Sequence, residues 1–564
     1  MRKKKEPIPE EPGPPPVLQI TPLGGVGEIG KNMTAYRYQD EILIVDCGFA
    51  FPEAEMLGVD VVIPDMTYII DNAEKVVAVV LTHGHEDHVG GLPYLLKQVN
   101  VPIYGTRLTL GLIQGKLAEH GMTETTEVCA VEPGDRTQHG SFEVEWIYVT
   151  HSVPGSCSLA IRTPAGIVLH TGDFKFDPTP VDGNLTDLAA LAKLGKEGVL
   201  ALISDSTNVE KPGNSPSEQL VSETLDAIFR DTTGRIIIAS FASALHRIQQ
   251  VVRISEKYGR KVAFVGRSME QNVRVARDLG YLTAEEGTIV SLGELNQLPP
   301  DEFTAMTTGS QGEPLSALSR IAVDEHKKLK VGPGDTVIIS AHAIPGNEDL
   351  VWRTVNNLFR RGARVIYDTL AAVHASGHAY RDELRMMINL IRPEVLIPMH
   401  GEARHMYHYR EMAVAMGYPE ERIFQIQLGD LVEISAEGCY IVGKVPHGSV
   451  LVDGIGVGDV EDPVLRDRQH LSQDGVFVVT AIFDRESGEL IAGPDIMTRG
   501  FVFEQESEDL VEEARQLLLE QVGELTADTT DWSALKSELR SRLNKFLYKK
   551  THRRPMVLPM IIEV

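Results

Sequence analysis

Short, unbroken apolar runs separated by turns set the rhythm of this chain from Val17 onward. Val76–Leu81 (VVAVVL), Phe142–Val149, Gly166–Leu169 and Val199–Ile203 predict strands, and the continuous runs suit a sheet covered on both faces. Leu92–Gln98 and Thr109–His120 read as helices between them. A second rhythm runs from about Ser215 to Asp368. There Arg235–Ala239, Lys261–Val265, Thr336–Ile339 and Arg364–Tyr367 predict parallel strands alternating with helices. Val395–Pro398 then returns to the first pattern, and Leu431–Val445 adds further strands. This order predicts one domain built from residues 18–208 and 369–451, with a parallel α/β domain, residues 209–368, inserted into it. A glycine-rich stretch marks a linker over residues 452–464. Residues 465–564 predict a small α+β unit. Its strands, broken at Arg485–Gly488, are followed by two helices: one with Leu510, Ala514, Leu517 and Leu518 on a face, the other with Leu535, Leu539, Leu543 and Leu547.

Composition narrows the class. At 564 residues the chain exceeds a single hydrophobic core, and 43% hydrophobic with 24% charged residues is ordinary for a folded globular protein. No apolar run approaches the ~18 residues of a membrane helix. The first 17 residues, basic and then proline-rich, carry no apolar stretch and read as a disordered arm rather than a secretory signal. Cys47, Cys129, Cys157 and Cys439 are widely spaced with no CxxC pair, which fits free thiols in a reducing cytoplasm. The net charge of −26 opposes a general polyanion binder. The objection weakens if divalent cations supply the local positive charge.

The chemistry concentrates at strand ends. Thr82-His83-Gly84-His85-Glu86-Asp87-His88 follows directly on the predicted strand Val76–Leu81. A tight loop, helped by Gly84 and Gly90-Gly91, can turn His83, His85, Asp87 and His88 inward, and imidazole with carboxylate is a donor set for zinc. Further ligands fall at other strand ends: His151, Asp173 in His170-Thr171-Gly172-Asp173, and His400 in Pro398-Met399-His400-Gly401-Glu402. Each alone would more readily be a structural polar residue; together with HxHxDH they read as metal ligands. Gly25, Gly27 and Gly30 match GxGxxG, but a strand follows instead of a helix, so this is a turn near the metal site and not a dinucleotide site. His170 reads as a core residue, and His246 and His342 as local hydrogen-bonding residues.

HxHxDH, His151 and Gly172-Asp173 resemble the metal motifs of the metallo-β-lactamase fold. Asp205 in Ser204-Asp205-Ser206-Thr207, His378 in Ser376-Gly377-His378-Ala379 and His400 resemble the motifs of its β-CASP branch. With the small terminal domain, the chain is similar to the bacterial ribonuclease J family from about Leu18 to Val564. That resemblance implies a metallo-β-lactamase αββα sandwich with an inserted parallel α/β β-CASP domain and a small C-terminal α+β domain. It implies two Zn2+ per subunit, one on His83, His85 and His151, the other on Asp87, His88 and His400, with Asp173 bridging. Manganese or magnesium are candidate activators.

The two carboxylates Asp87 and Asp173 are candidates to accept a proton from the attacking water, His378 to serve as general acid or oxyanion donor, and Asp205 to orient His378. Three loops offer hydroxyls and backbone amides to phosphate: Ser240–Ser243, Thr308–Gly312 and His374–His378. In ribonuclease J the positions matching Ser243 and His374, Ala375, Ser376, Gly377 and His378 bind RNA phosphates, including the 5′ end. The family further implies single-stranded RNA as substrate, with endonuclease and 5′-to-3′ exonuclease action preferring 5′-monophosphate ends. It implies a cytoplasmic role in RNA processing and decay, as a homodimer or dimer of dimers without membrane attachment. Three rivals stand beside it: a β-CASP DNA nuclease of the repair class, against which His378 counts; a small-molecule metallohydrolase, which gives the insert no purpose; and a non-catalytic partner or scaffold that has kept the fold, against which the intact ligand set counts.

Overall fold

The computed structural model describes residues 15–53, 55–344, 346–460, 462–485, 487, 489–501, 508–525 and 532–564. Residues 1–14, most of the expected arm, lie outside them.

Two sheets stack face to face in the first compact unit, which comprises residues up to Phe51 and Val61–Val450. The larger has eight strands in the order Gly438–Lys444, Asp430–Ser435, Leu18–Gly24, Met33–Tyr38, Glu41–Val45, Val76–Val80, Ile103–Thr106, Val128–Val131. The smaller has six, in the order Val395–Met399, Ala201–Asp205, Gly166–His170, Cys157–Thr163, Phe142–Tyr148, Arg136–His139. Alternation within the strands builds the layers. Val168, Ala201, Ile203, Val395 and Ile397 face the larger sheet through Ile20, Tyr36, Leu43 and Val80. Their neighbours Leu169, Leu202 and Leu396 face outward onto Leu191, Leu384, Ile388, Tyr409 and Met412 of covering helices. Both faces being buried explains why the runs read as continuous in sequence.

The insert is a five-stranded parallel sheet, ordered Lys261–Val265, Phe303–Thr307, Ile236–Ala239, Thr336–Ile339, Arg364–Ile366. Ile236 and Ile238 pack on one layer of helices, Ile237 and Ala239 on the other. Phe303–Thr307 is absent from the expected strands, because its sequence, FTAMT, buries Thr304 and Thr307 where apolar residues are the usual signal. Conversely, the strand expected at Val199–Ile203 runs over Ala201–Asp205, so Asp205 closes the strand.

The second compact unit holds Pro52–Asp60 and Leu451–Val564. The expected linker is structured: Ser449–Asp453 pairs with Gly456–Val457 as a hairpin, and a helix spans Asp462–Asp474. Glycines serve a tight turn there rather than a flexible tether, with Gly454 at φ +58°. A three-stranded sheet follows, Leu490–Arg499, Val476–Phe483, Met556–Glu563. One face of it buries Phe477, Val479 and Phe483 against Ala514, Leu518, Leu535, Leu539, Leu543 and Leu547.

Candidate metal centre

The expected metal ligands follow four strands of the sandwich. The strand Val76–Val80 leads into Thr82 and His83; His85 then caps a one-turn helix, Glu86–Val89, that carries Asp87 and His88. His151 follows Phe142–Tyr148, Asp173 follows Gly166–His170, and His400 follows Val395–Met399. His400 sits in the left-handed region at φ +53°, and its amide donates to the Gly25 carbonyl at 2.6 Å. Val26–Gly27 pairs in parallel with Gly401–Glu402, so the glycine turn holds the His400 loop.

Two groups of donors converge. His83, His85, His151 and Asp173 form one, and Asp87, His88, His400 and Asp173 the other, with the ligand atoms of each within 4.8 Å of one another. Asp173 divides its carboxylate between them. Its Oδ2 lies 3.5 Å from His83 Nε2 and 3.8 Å from His151 Nε2. Its Oδ1 lies 3.3 Å from His88 Nε2 and 3.8 Å from His400 Nε2. His85 Nδ1 stands 3.1 Å from both His83 Nε2 and His151 Nε2, and Asp87 Oδ2 is 3.1 Å from His400 Nε2. Zinc bonds of about 2.0–2.2 Å give a tetrahedron with edges of roughly 3.3–3.6 Å. The observed separations bracket those edges.

The residues fit divalent ions on two further grounds. Asp173 Oδ1 is buried and accepts no hydrogen bond from the described residues, an exposed cost unless a cation meets it. Burial lowers His83 and His151 well below the usual imidazole range, and brings His85 down to about 4, opposed by Asp87 and Asp173. Neutral imidazole is the ligand form. His88 and His400 move upward instead: burial disfavours their charge, and Asp173 outweighs it together with Asp87, Asp46 and Asp205. The carboxylates that hold protons there would equally hold a cation.

Outer partners fix the imidazoles. His88 Nδ1 is 2.7 Å from Asp46 Oδ2, and Asp46 also accepts from the Thr82 amide and hydroxyl at 2.8 Å each. The Thr82 hydroxyl lies 3.0 Å from His83 Nδ1. His151 Nδ1 donates to the Gly377 carbonyl at 2.7 Å, and His400 Nδ1 stands 2.6 Å from Thr207 Oγ1. These contacts select the tautomer that presents Nε2 inward. Asp46, Thr82, Thr207 and Asn208 were not marked by the sequence reading. Asp46 had one signal, an aspartate closing the strand Glu41–Val45 with φ +59°.

His378 borders the cluster. Its Nδ1 is 2.9 Å from Asp205 Oδ2, its Nε2 is 3.8 Å from Asp173 Oδ2, and its ring stacks on His400 at 5.3 Å. Burial works against its charge, but Asp205 and Asp173 raise it to about 9. The two carboxylates thus favour its charged form. Ser376 Oγ accepts from Asn208 Nδ2 at 2.7 Å and from the His378 amide at 3.3 Å. Gly377 is forced by space: a Cβ there would stand 2.5 Å from His151. Ala375 is buried, and His374 is driven down to about 3 by burial and then by Arg247. Ser243 lies in the turn before the helix Leu245–Lys257 and is partly exposed. The Thr308–Gly312 loop is engaged internally instead: the Gln311 side chain donates to the His342 carbonyl at 2.9 Å and accepts from the Ile344 amide at 2.7 Å. His170 meets Tyr36 Oη at 2.9 Å, and His342 pairs with Asp368 at 2.5 Å.

Comparison with known proteins follows the same lines. Family models match residues 26–238 (metallo-beta-lactamase superfamily), 233–358 (ribonuclease J, beta-CASP domain), 363–423 (Zn-dependent metallo-hydrolase RNA specificity domain) and 463–564 (ribonuclease J C-terminal domain). The chain is 44% identical to ribonuclease J2 of Bacillus subtilis over 548 residues, covering 97% of this chain and 99% of that one. It is 44% identical to ribonuclease J of Thermus thermophilus over 562 residues, covering 98% and 96%. Among solved structures, a protein of unknown function from Enterococcus faecalis shares the fold, with TM-score 0.50 and 17% identity over 68% of this chain and 94% of that chain.

Proposed function

The chain belongs to the ribonuclease J family, and from that premise we propose that it hydrolyses RNA phosphodiesters with two zinc ions, cutting internally and from 5′-monophosphate ends. It is a metal-dependent ribonuclease by kinship. The observation that carries it is Asp173, whose two oxygens face two separate groups of donors. His83, His85 and His151 would hold one ion, Asp87, His88 and His400 the other, with Asp173 between. Ions held this way supply Lewis acidity toward phosphoryl oxygens and a nucleophile at neutral pH.

The chain's own groups do the rest. Asp87, half-exposed beside the cluster, is placed to take a proton from the attacking water, and Asp173 is the second acceptor. His378, protonated and braced by Asp205, presents Nε2 toward the cluster, where a leaving or phosphoryl oxygen would lie. Ser243 and the loop from His374 through Ala375, Ser376 and Gly377 to His378 offer neutral donors to backbone phosphates, which supports recognition of a single terminal phosphate. Net charge of −26 is compatible with this, because the cationic ligands of the phosphate are local.

No helix among the described residues is long and apolar enough to cross a membrane. A cytoplasmic setting and assembly as dimers or dimers of dimers complete the proposal. The test is to offer single-stranded RNA, the matching DNA and a lactone or thioester to one zinc-loaded preparation. Cleavage of RNA well above the other two supports the reading. Preference for DNA moves the assignment to the repair-type nucleases, and turnover of the small molecules alone overturns it.

A further inference from the structure

One strongly charged group outside the metal cluster is almost fully enclosed. Arg247 lies in the first turn of the helix Leu245–Lys257 yet is only 4% exposed. Every nitrogen of its guanidinium has a partner. Nε donates to Gln250 Oε1 at 2.7 Å, Nη2 to Glu218 Oε2 at 2.7 Å, and Nη1 to the Val373 carbonyl at 2.6 Å and to the Ser340 hydroxyl. Ser340 Oγ donates to the same Val373 carbonyl at 2.6 Å. Gln250 Nε2 closes the ring of contacts on the Glu218 carbonyl at 2.8 Å.

The Val373 carbonyl immediately precedes His374–His378, a stretch without helix or strand that carries Ser376, the Gly377 carbonyl on His151, and His378. On its other side Glu218 reaches back toward the metal ligands. Its amide donates to Asp177 Oδ2 at 3.0 Å, and Asp177 pairs with the equally buried Lys175 at 3.1 Å. The Thr150 hydroxyl then binds the Lys175 carbonyl at 2.6 Å and accepts from the Asp177 amide at 3.1 Å. Thr150 is the residue before His151, and Lys175 is two residues after Asp173. A continuous line of buried polar contacts thus joins two ligand-bearing segments of the sandwich to the loop beside the insert.

A buried ion pair is a poor source of stability compared with apolar packing, but a guanidinium fork fixes geometry that apolar packing does not. A loop containing Ala375 and Gly377, with no ladder of its own, has its backbone set from outside. We propose that Arg247, held by Glu218, is a positioning residue for RNA hydrolysis: it clamps the Val373 carbonyl and thereby sets the register of His374–His378 against the metal-binding residues. The inference rests on the ribonuclease reading above.

The test compares Arg247→Met, the paired Arg247→Met/Glu218→Gln variant, which leaves no unpaired buried carboxylate, and Ser340→Ala, which removes the second donor to Val373. Each full-length, metal-loaded protein is assayed for metal content, for hydrolysis of bis(p-nitrophenyl) phosphate, and for cleavage of a single-stranded RNA. Hydrogen exchange is followed at residues 373–378. The activated diester has a leaving group that needs no acid, so it reports the metal centre without the proton proposed for His378. The expected result is kcat/KM on RNA lower by at least about tenfold in both Arg247 variants. Ser340→Ala gives a smaller loss. Metal content and diester hydrolysis stay near wild type, and exchange at 373–378 quickens. RNA kcat/KM within twofold of wild type, or unchanged exchange in the loop, overturns the proposal. Parallel loss of metal and diester hydrolysis in the paired variant also overturns it, since the network would then support the whole centre. Wild-type protein that cleaves no RNA would instead sink the ribonuclease reading, and the exchange measurement would still decide whether Arg247 orders the loop.

Discussion

Asp205 Oδ2 stands 2.9 Å from Nδ1 of His378, although 173 residues separate them, and this pair divides the labour of the site. Asp205 also accepts from the Thr207 amide at 2.9 Å and hydroxyl at 2.7 Å, and that hydroxyl meets His400. One carboxylate therefore braces both His378, the proposed proton donor, and, through Thr207, His400, a proposed metal ligand. His378→Ala is expected to slow RNA cleavage by about a hundredfold or more while zinc content stays near wild type. A variant that lost metal in proportion to activity would make His378 a ligand.

Asp46 gives a second, separable expectation. It fixes His88 and, through Thr82, His83. Asp46→Ala is expected to weaken metal binding about 10–100-fold, with activity recovered at high metal concentration. Competition with a chromophoric chelator measures it. Activity that cannot be restored by added metal would assign Asp46 a role in the fold instead.

The proposed terminal-phosphate selection rests on neutral donors. Ser376 and Ser243 offer hydroxyls and amides without a fixed cluster of charge, which suits one phosphate better than three. RNA with a 5′-triphosphate is expected to be degraded exonucleolytically more slowly than the 5′-monophosphate form. Equal rates, read from end-labelled substrates on a gel, would remove the case for a terminal pocket and leave internal cutting standing.

Assembly is expected to depend on the terminal unit. On its last helix Lys536, Arg540, Lys545 and Lys549 are exposed, whereas Lys550 pairs with Glu513, Arg542 with Glu538 at 2.6 Å, and Arg554 lies over Tyr548. Part of the basic run is thus engaged by described residues and part is exposed; Glu506 of the acidic group lies outside the described residues. Deleting Leu465–Val564 is expected to reduce the mass in solution to a monomer by light scattering. A truncated protein that stayed dimeric would contradict this, and weaker RNA binding at unchanged mass would assign the basic run to RNA.

What could be read from the chain, and what could not, has physical reasons. HxHxDH was legible because four donors within six residues at a strand end have no packing role to perform. Asp173, His151 and His400 became legible only in its company. Asp46 stayed hidden because a lone aspartate closing a strand resembles any turn residue. Arg247 stayed hidden because its helix carries alternating polar and apolar residues, and charge on such a helix usually faces water. The strand Phe303–Thr307 was missed because its threonines are buried, and the hairpin at residues 449–457 because glycines in a tight turn look like a linker.

The proposed pair of ions across Asp173 is tested by stripping the protein with chelator, then titrating zinc back while following both bound metal and cleavage of a single-stranded RNA. No cleavage by the stripped protein, activity that reaches its plateau at two ions per chain, and no recovery in Asp173→Ala are expected. Cleavage that survives chelation, or full activity at one ion per chain with Asp173→Ala still active, would contradict it.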